Sequence, residues 1–165
     1  MKATAQPHCQ CLCCLRDLPR GAPGDAQGKK VHLVSSLPAI VTCLALLLYG
    51  VFIARVALAR GKYKVPAPAT TGHPAFERII RIQTNTGEQL IILLPGLWLF
   101  SIYFSPLWAS LLGLLWILGR VVYAVGYSRN PDGRALGFVI SFAVNMILVL
   151  GSLGAAVWQY LHGGM

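Results

Sequence analysis

The sequence is poor in charged residues, and poorest in acidic ones. Only 12% of its 165 residues are charged, against about a quarter in an ordinary soluble domain. The hydrophobic content of 56% and the mean hydropathy of +0.63 indicate a membrane protein. At roughly 20 residues for each spanning helix, the length accommodates four spans and leaves no room for a separate soluble catalytic domain.

The shortage of acid leaves a formal net charge of +9, from 14 Lys plus Arg against 5 Asp plus Glu. Such a balance suits nucleic acid, anionic lipid or an anionic substrate as partner. The long apolar segments argue against nucleic acid. We therefore expect a partner that is met at or within the membrane.

The body of the chain also lacks a disulfide framework. Four of the five cysteines lie in the run HCQCLCC within the first fifteen residues, and the fifth, Cys43, lies in a hydrophobic segment. The run lacks the separated second pair of ligands that usually closes a zinc site, so we expect no metal site. Residues 1–33 have no apolar periodicity and are predicted to be a disordered tail or an upstream extension of the true start.

Four apolar segments within residues 34–165 predict the fold class, an all-α membrane protein with an antiparallel bundle of four transmembrane helices. The segments are Val34–Ala59, a second from about Pro74 to Phe104, Leu107–Tyr127 and Ala135–Leu161. A cleaved signal peptide ending at Ala59 is the rival interpretation of the first segment. Its long apolar core and the nearby Arg55 argue against cleavage.

The connections between these segments are short and turn-like. Residues 65–74, VPAPATTGHP, predict a loop, and residues 128–133, SRNPDG, predict a turn. His73 has no second ligand at metal-binding spacing, so we interpret it as a loop residue at the membrane interface. Glycines 113, 119, 126, 137, 151 and 154 are expected to permit close helix contacts.

The second helix opens with polar residues that run straight into an apolar segment. In FERIIRIQTNTGE, one polar stripe at i, i+3, i+7 and i+10 contains Arg78, Arg81, Asn85 and Glu88. Ionisable groups at membrane depth cost several kcal/mol or more unless they face a cavity or another helix. The stripe is therefore predicted to be part of a functional site.

The third helix carries a matching stripe near its far end. Arg120, Tyr123 and Tyr127 lie at i, i+3 and i+7. Either phenol alone is more simply an anchor at the membrane interface. Two converging stripes instead predict a shallow cationic pocket that opens between helices to the bilayer.

The basic residues predict the orientation. They cluster at the connections between helices one and two and between helices three and four, while the opposite connection and the C-terminus contain no Lys or Arg. By the positive-inside rule the pocket faces the cytoplasm. Lys29 and Lys30 lie on the other side in this arrangement, in conflict with that rule.

A cationic pocket at the edge of the bilayer suits an anionic, water-soluble ligand that meets a lipophilic one. If the ligand carries a thiol, a nearby guanidinium favours the thiolate over the thiol, whose free pKa is about 8.5. The residues alone do not identify that ligand.

On FERIIRIQTNTGE followed by LLPGLWLF, and on GRVVYAVGYSRNPDGR, the chain resembles the MAPEG family, the membrane-associated proteins of eicosanoid and glutathione metabolism. The resemblance covers about Ser36 to the C-terminus and rests on the spaced patterns R-x-x-x-N-x-x-E and R-x-x-Y-x-x-x-Y. It implies a homotrimer with glutathione, a co-substrate, bound between subunits near the cytoplasmic face.

The resemblance also implies roles for individual residues. Arg134 is expected to be catalytic and to stabilise the thiolate of glutathione. Arg120 is also placed in the glutathione-binding set. That set comprises Arg60, Arg81, Gln83, Asn85, Glu88, Arg120, Tyr123 and Tyr127.

Two positions depart from the leukotriene-forming members of that family. Gln89 stands where they have a tyrosine that contacts glutathione, and Gly61 stands where they have a second arginine. The resemblance therefore implies a broader glutathione transferase or peroxidase of bacterial type, acting on lipophilic electrophiles or lipid hydroperoxides. The bacterial inner membrane is the expected location, or the endoplasmic reticulum in a eukaryote. The alternative is a non-enzymatic module of the same fold that binds membrane lipid or a partner protein.

Overall fold

A computed structural model describes residues 25–162 of the chain, and this part is helical with no β-strand. The fold class predicted from the sequence is confirmed. A short 3-10 helix, Pro131–Arg134, precedes the last long helix. The four long helices are α1 Asp25–Tyr63, α2 Pro74–Tyr103, α3 Pro106–Arg129 and α4 Ala135–His162.

Each of the four helices contains a segment long and apolar enough to cross a membrane; in α1 this segment is Ser36–Tyr63. The short connections make consecutive helices antiparallel. As a result α1 and α3 end, and α2 and α4 begin, at one common end of the bundle. We call this the basic end.

Helix α1 begins upstream of the predicted start at Val34, because its described range opens at Asp25. The predicted division of the chain into a tail of residues 1–33 and a domain of residues 34–165 stays a prediction. The cysteine run between residues 9 and 14 lies outside the described residues.

The connection between α1 and α2 is a loop, as predicted. His73 ends it by capping α2, since its Nδ1 accepts a hydrogen bond from the backbone nitrogen of Ala75 at 3.2 Å. Pro74 occupies the first helical position, where its missing backbone N–H costs no hydrogen bond because an N–H at that position has no acceptor within the helix. The loop therefore fixes where α2, with its polar stripe, begins.

Helices α2 and α3 form the centre of the bundle. Each contacts every other long helix, whereas α1 and α4 do not contact each other within the described residues. The main core contains side chains from all four helices. Its buried members include Val41, Leu90, Leu93, Leu97, Phe100, Trp116, Val144 and Leu148. A smaller cluster nearer the basic end packs Phe52 of α1 and Ile82 of α2 against Tyr123 and Tyr127 of α3.

The outer surface of the bundle is apolar. Leu58, Ile91 and Ile102 are 75%, 74% and 72% exposed in the isolated chain. Exposed apolar surface on this scale requires lipid or another protein against it. Buried and exposed faces are both apolar, which is typical of a helix that spans a membrane.

Helices α3 and α4 approach closely through glycines near the basic end. A Cβ atom on Gly137 would lie 2.6 Å from both the carbonyl oxygen of Gly119 and the Cα of Tyr123. Gly126 and Gly133 meet in the same way through their backbones. The predicted close contacts are thus present at these positions, but a Cβ on Gly154 would meet nothing within 4 Å in the single chain.

We predict that Gly137→Ala destabilises the protein by roughly 1–3 kcal/mol, the usual cost of overpacking a fitted contact. The backbone atoms that face Gly137 cannot move aside as a flexible side chain would. The measurement is thermal unfolding in detergent. Gly154→Ala is the control, and it should be neutral or stabilising by up to about 1 kcal/mol from the better helix propensity of alanine. Equal unfolding temperatures for the two variants would contradict the packing argument.

Candidate functional site

The basic end of the bundle contains a cavity built on the polar stripe of α2. Its volume is about 330 Å³, and Arg81, Asn85 and Glu88 line it together with Glu77 and the loop residues Thr70 and Thr71. Arg81 and Glu88 are exposed and Asn85 is half-buried. The chain has two glutamates, and both line this cavity. It therefore offers a cation and carboxylates side by side.

A second cavity of about 360 Å³ lies between α2, α3 and the start of α4. Tyr123 and Arg134 line it, with Phe138 and Val139 as an apolar wall. Tyr127 stacks on Tyr123 with ring centroids 5.9 Å apart. The guanidinium carbon of Arg134 lies 5.5 Å from the centre of the Tyr127 ring, within cation–π range.

Asn85 joins the two cavities, because it lines both of them. Residues that are far apart in sequence therefore form one continuous region. On one side of Asn85 lie Arg81 and Glu88, and on the other lie Tyr123 and Arg134. The structure thus brings Arg81, Asn85 and Glu88 of the first stripe close to Tyr123 of the second, and Arg134, which belongs to neither stripe, lies beside Tyr123. Their roles as site residues stay predictions.

Arg120 lies behind this region and is fully buried. Its Nη2 donates a 2.7 Å hydrogen bond to the hydroxyl of Thr86, which is also fully buried. The guanidinium carbon lies 4.3 Å from the centre of the Tyr123 ring. Arg120 thus ties α2 to α3 from inside the bundle, and its predicted direct contact with glutathione stays a prediction.

Other buried polar side chains lie on α2, α3 and α4. Asn145 of α4 donates a hydrogen bond of 3.2 Å to the backbone oxygen of Gln89. Several buried polar atoms have no hydrogen-bond partner in the described chain. They include the side-chain oxygens of Gln89 and Asn145, the indole nitrogen of Trp116 and two nitrogens of Arg120. Groups of this kind usually bind ordered water.

Thr86 and Asn145 are two buried polar residues that the sequence interpretation does not include. Asn145 had a usable signal, since it is an amide within the apolar helix α4, and polar residues at membrane depth are usually buried and paired. Thr86 had no such signal, because a threonine hydroxyl in a helix can donate its hydrogen bond to a backbone oxygen of the same helix. The Oγ1 of Thr86 donates to the backbone oxygen of Ile82 at 2.6 Å.

Two predicted ligand residues lie away from both cavities in the single chain. Gln83 faces α1 and donates a 2.7 Å hydrogen bond to the hydroxyl of Tyr49. Arg60 donates to the backbone oxygen of Ala69 at 2.8 Å and lies over the ring of Phe76, so it holds the loop between α1 and α2. Their contacts with a ligand stay predictions.

Arg78 does not share the cavity of the other stripe residues, contrary to the sequence interpretation. It lines a separate cavity between α1 and α2. The reason is geometric: ten residues at about 100° each place Glu88 about 80° away from Arg78 around the helix. A neighbouring helix is wide enough to divide a stripe of that width.

The profile of the MAPEG family matches residues 38–154. A Synechocystis protein described as uncharacterized is 50% identical over 74% of this chain and 89% of its own length. Human microsomal glutathione S-transferase 2 is 42% identical over 74% of this chain and 84% of its own. Rat leukotriene C4 synthase is 34% identical over 78% of this chain and 93% of its own.

We predict that Thr86→Val destabilises the protein by roughly 1.5–3 kcal/mol, because it removes a hydrogen bond to a buried charged group. Valine keeps the shape of threonine and loses only the hydroxyl that Arg120 uses. Chemical unfolding in detergent provides the measurement. Thr86→Ser retains the hydroxyl and is the matched control. If serine costs as much as valine, the hydrogen bond is not what holds Arg120.

Proposed function

The chain belongs to the MAPEG family, and from this premise we propose that it is an integral membrane glutathione transferase with glutathione peroxidase activity. The observation that carries the proposal is the shared position of Asn85. It joins a cavity containing both a cation and carboxylates to a cavity containing Arg134 and an apolar wall. The first suits a zwitterionic peptide, and the second suits a thiolate that meets an apolar molecule.

Glutathione carries two carboxylates, one ammonium group, two amides and a thiol. In the proposed binding mode Arg81 pairs with a carboxylate, Glu88 with the ammonium group, and Asn85 with an amide. Such charge-assisted hydrogen bonds are stronger than neutral ones and fix orientation. The peptide then extends past Asn85 and carries its thiol toward Tyr123, Tyr127 and Arg134.

Arg134 supplies the charge that the reaction needs at the thiol. A guanidinium beside sulfur favours the thiolate, which is the nucleophilic form. The thiol proton leaves to water. The sulfur then attacks an electrophilic carbon: a carbon–sulfur bond forms, and the leaving group departs with the electron pair of the bond that breaks.

The apolar wall provides the meeting point with the second substrate. Phe138 and Val139 are exposed on the outer face of α4 and also line the cavity of Arg134. A lipophilic electrophile can therefore approach from the bilayer. With a lipid hydroperoxide, two glutathione molecules are oxidised to the disulfide while the hydroperoxide is reduced to an alcohol and water.

We include two further features in the proposal, a homotrimer and a basic end that faces the cytoplasm. The homotrimer offers a second subunit whose residues complete the site, which gives Arg60 and Gln83 a route to the ligand. The cytoplasmic orientation follows from the concentration of Lys and Arg at the basic end. Oligomer mass in detergent and protease access to the basic end test these two features.

We predict saturable binding of glutathione to the purified protein, and at least tenfold weaker binding to Arg81→Ala. A charge-assisted hydrogen bond contributes roughly 1.5–3 kcal/mol, and 1.4 kcal/mol corresponds to tenfold. Titration calorimetry in detergent provides the measurement. Arg129→Ala removes an equal charge from the exposed end of α3 outside both cavities and should bind like the wild type.

The same titration separates the enzyme from the alternative function. A protein that binds no glutathione, and in which Arg81→Ala changes only thermal stability, would be a lipid- or partner-binding module of the same fold.

We predict that Arg134→Ala lowers kcat/KM for a chlorodinitrobenzene-type electrophile by roughly 10²–10³, the usual effect of removing one group that stabilises developing or reacting negative charge. The pH at which turnover is half-maximal should rise toward the free thiol pKa of about 8.5, because the cation no longer favours the thiolate. Turnover is measured across pH with glutathione saturating. Arg129→Ala is the control and should change neither kcat/KM nor the pH of half-maximal turnover. An unshifted pH profile for Arg134→Ala would show that Arg134 does not stabilise the thiolate.

A further inference from the structure

A third cavity at the basic end is lined by three basic side chains and takes no part in the proposed reaction. Arg55 and Lys62 of α1 and Arg78 of α2 line it, and its volume is about 390 Å³. Its apolar wall is formed mainly by Leu58, Ala59 and Ile79. It lies on the α1 side of α2, away from Arg81 and Glu88.

The arrangement on the helices directs all three charges to one place. Arg55, Leu58, Ala59 and Lys62 lie at i, i+3, i+4 and i+7, so one face of α1 alternates basic and apolar side chains. Arg78 and Ile79 belong to the first two turns of α2. The cavity is therefore a groove between two helices, with charge at both of its sides and apolar groups between them.

The positive charge of this cavity is uncompensated within the described chain. Among the side chains that the structure describes, no carboxylate lines the cavity. Glu77, on the same turn of α2, instead lines the cavity of Arg81 and accepts a hydrogen bond from the backbone nitrogen of Gly72. No described hydrogen bond or ion pair involves Arg55, Lys62 or Arg78, and the ammonium of Lys62 has only the Tyr63 ring, 5.4 Å from its centroid.

We propose that this cavity binds the phosphate headgroup of an anionic phospholipid. Basic pockets between transmembrane helices suit such headgroups, and the attraction adds about 1 kcal/mol for each Lys or Arg near the membrane surface. Arg55 lies eight residues before the end of α1, roughly 12 Å along the helix axis. Long basic side chains at this depth extend toward the interface, where the phosphates lie.

A lipid fits this cavity better than a soluble phosphate does. Leu58 beside it is 75% exposed, so an acyl chain can lie on the same helix face that ends in the basic groups. The volume accommodates a headgroup and leaves the chains outside on the apolar surface. The site is independent of glutathione, since none of its lining residues lines the two reaction cavities.

Native mass spectrometry of the full chain in mild detergent tests the proposal. Phosphatidylglycerol and phosphatidylcholine with identical acyl chains are titrated separately. The double variant Arg55→Gln/Arg78→Gln should bind phosphatidylglycerol roughly thirtyfold more weakly, equivalent to about 2 kcal/mol, with unchanged binding of phosphatidylcholine. Arg129→Gln, an exposed charge at the same end outside the cavity, should change neither binding constant by more than about twofold.

Glutathione binding by the double variant reports that the bundle is intact. If that variant fails to fold, Lys62→Gln replaces it, with an expected loss of roughly fivefold, or about 1 kcal/mol. Equal affinity of the wild type for the two lipids, or an equal loss in Arg129→Gln, would overturn the proposal. So would displacement of phosphatidylglycerol by millimolar inorganic phosphate at constant ionic strength, because the cavity would then be a site for soluble phosphate.

Discussion

The buried guanidinium of Arg120 is the constraint on which the arrangement of the basic end depends. Removing a charged group from water costs several kcal/mol, and no described carboxylate forms an ion pair with Arg120 to offset that cost. The hydroxyl of Thr86 and the face of the Tyr123 ring provide part of the compensation, while two of the guanidinium nitrogens have no partner in the described chain. Thr86 directly follows Asn85, and Tyr123 lines the second cavity. The contact that accommodates the charge therefore also sets the distance between the two halves of the proposed site.

The glycine contacts of α3 and α4 complete that arrangement from the other side. Gly137 packs on the backbone of α3 at Tyr123, and Gly133 packs on Gly126. Arg134 lies between these two contacts in sequence, so its backbone is held against α3 although its side chain is exposed. A rigid backbone with an exposed guanidinium suits the role proposed for Arg134, which is to stabilise a thiolate after glutathione has bound.

Much of this architecture could be predicted from the sequence, because membrane spans are long apolar segments and turns between them are marked by proline and glycine. The approach of Asn85 to Tyr123 followed from two polar stripes near the same end, whereas Arg134 was identified by the family resemblance alone. Periodicity could not assign Arg78, since a stripe about 80° wide does not reveal which of its edges a neighbouring helix covers. Nor could it show that Arg120 points inward, because that depends on Thr86, a residue with no distinctive pattern.

The placement of the few acidic residues explains why we propose different ligands for two cavities at the same end of the bundle. Both glutamates of the chain line the cavity of Arg81, and none lines the cavity of Arg55 and Arg78. A cavity with charges of both signs favours a zwitterion and repels part of a purely anionic group, while a cavity with cations alone attracts a phosphate and repels an ammonium. Because Glu77 and Arg78 are adjacent on α2, a rotation of about 100° around one helix separates the two kinds of site.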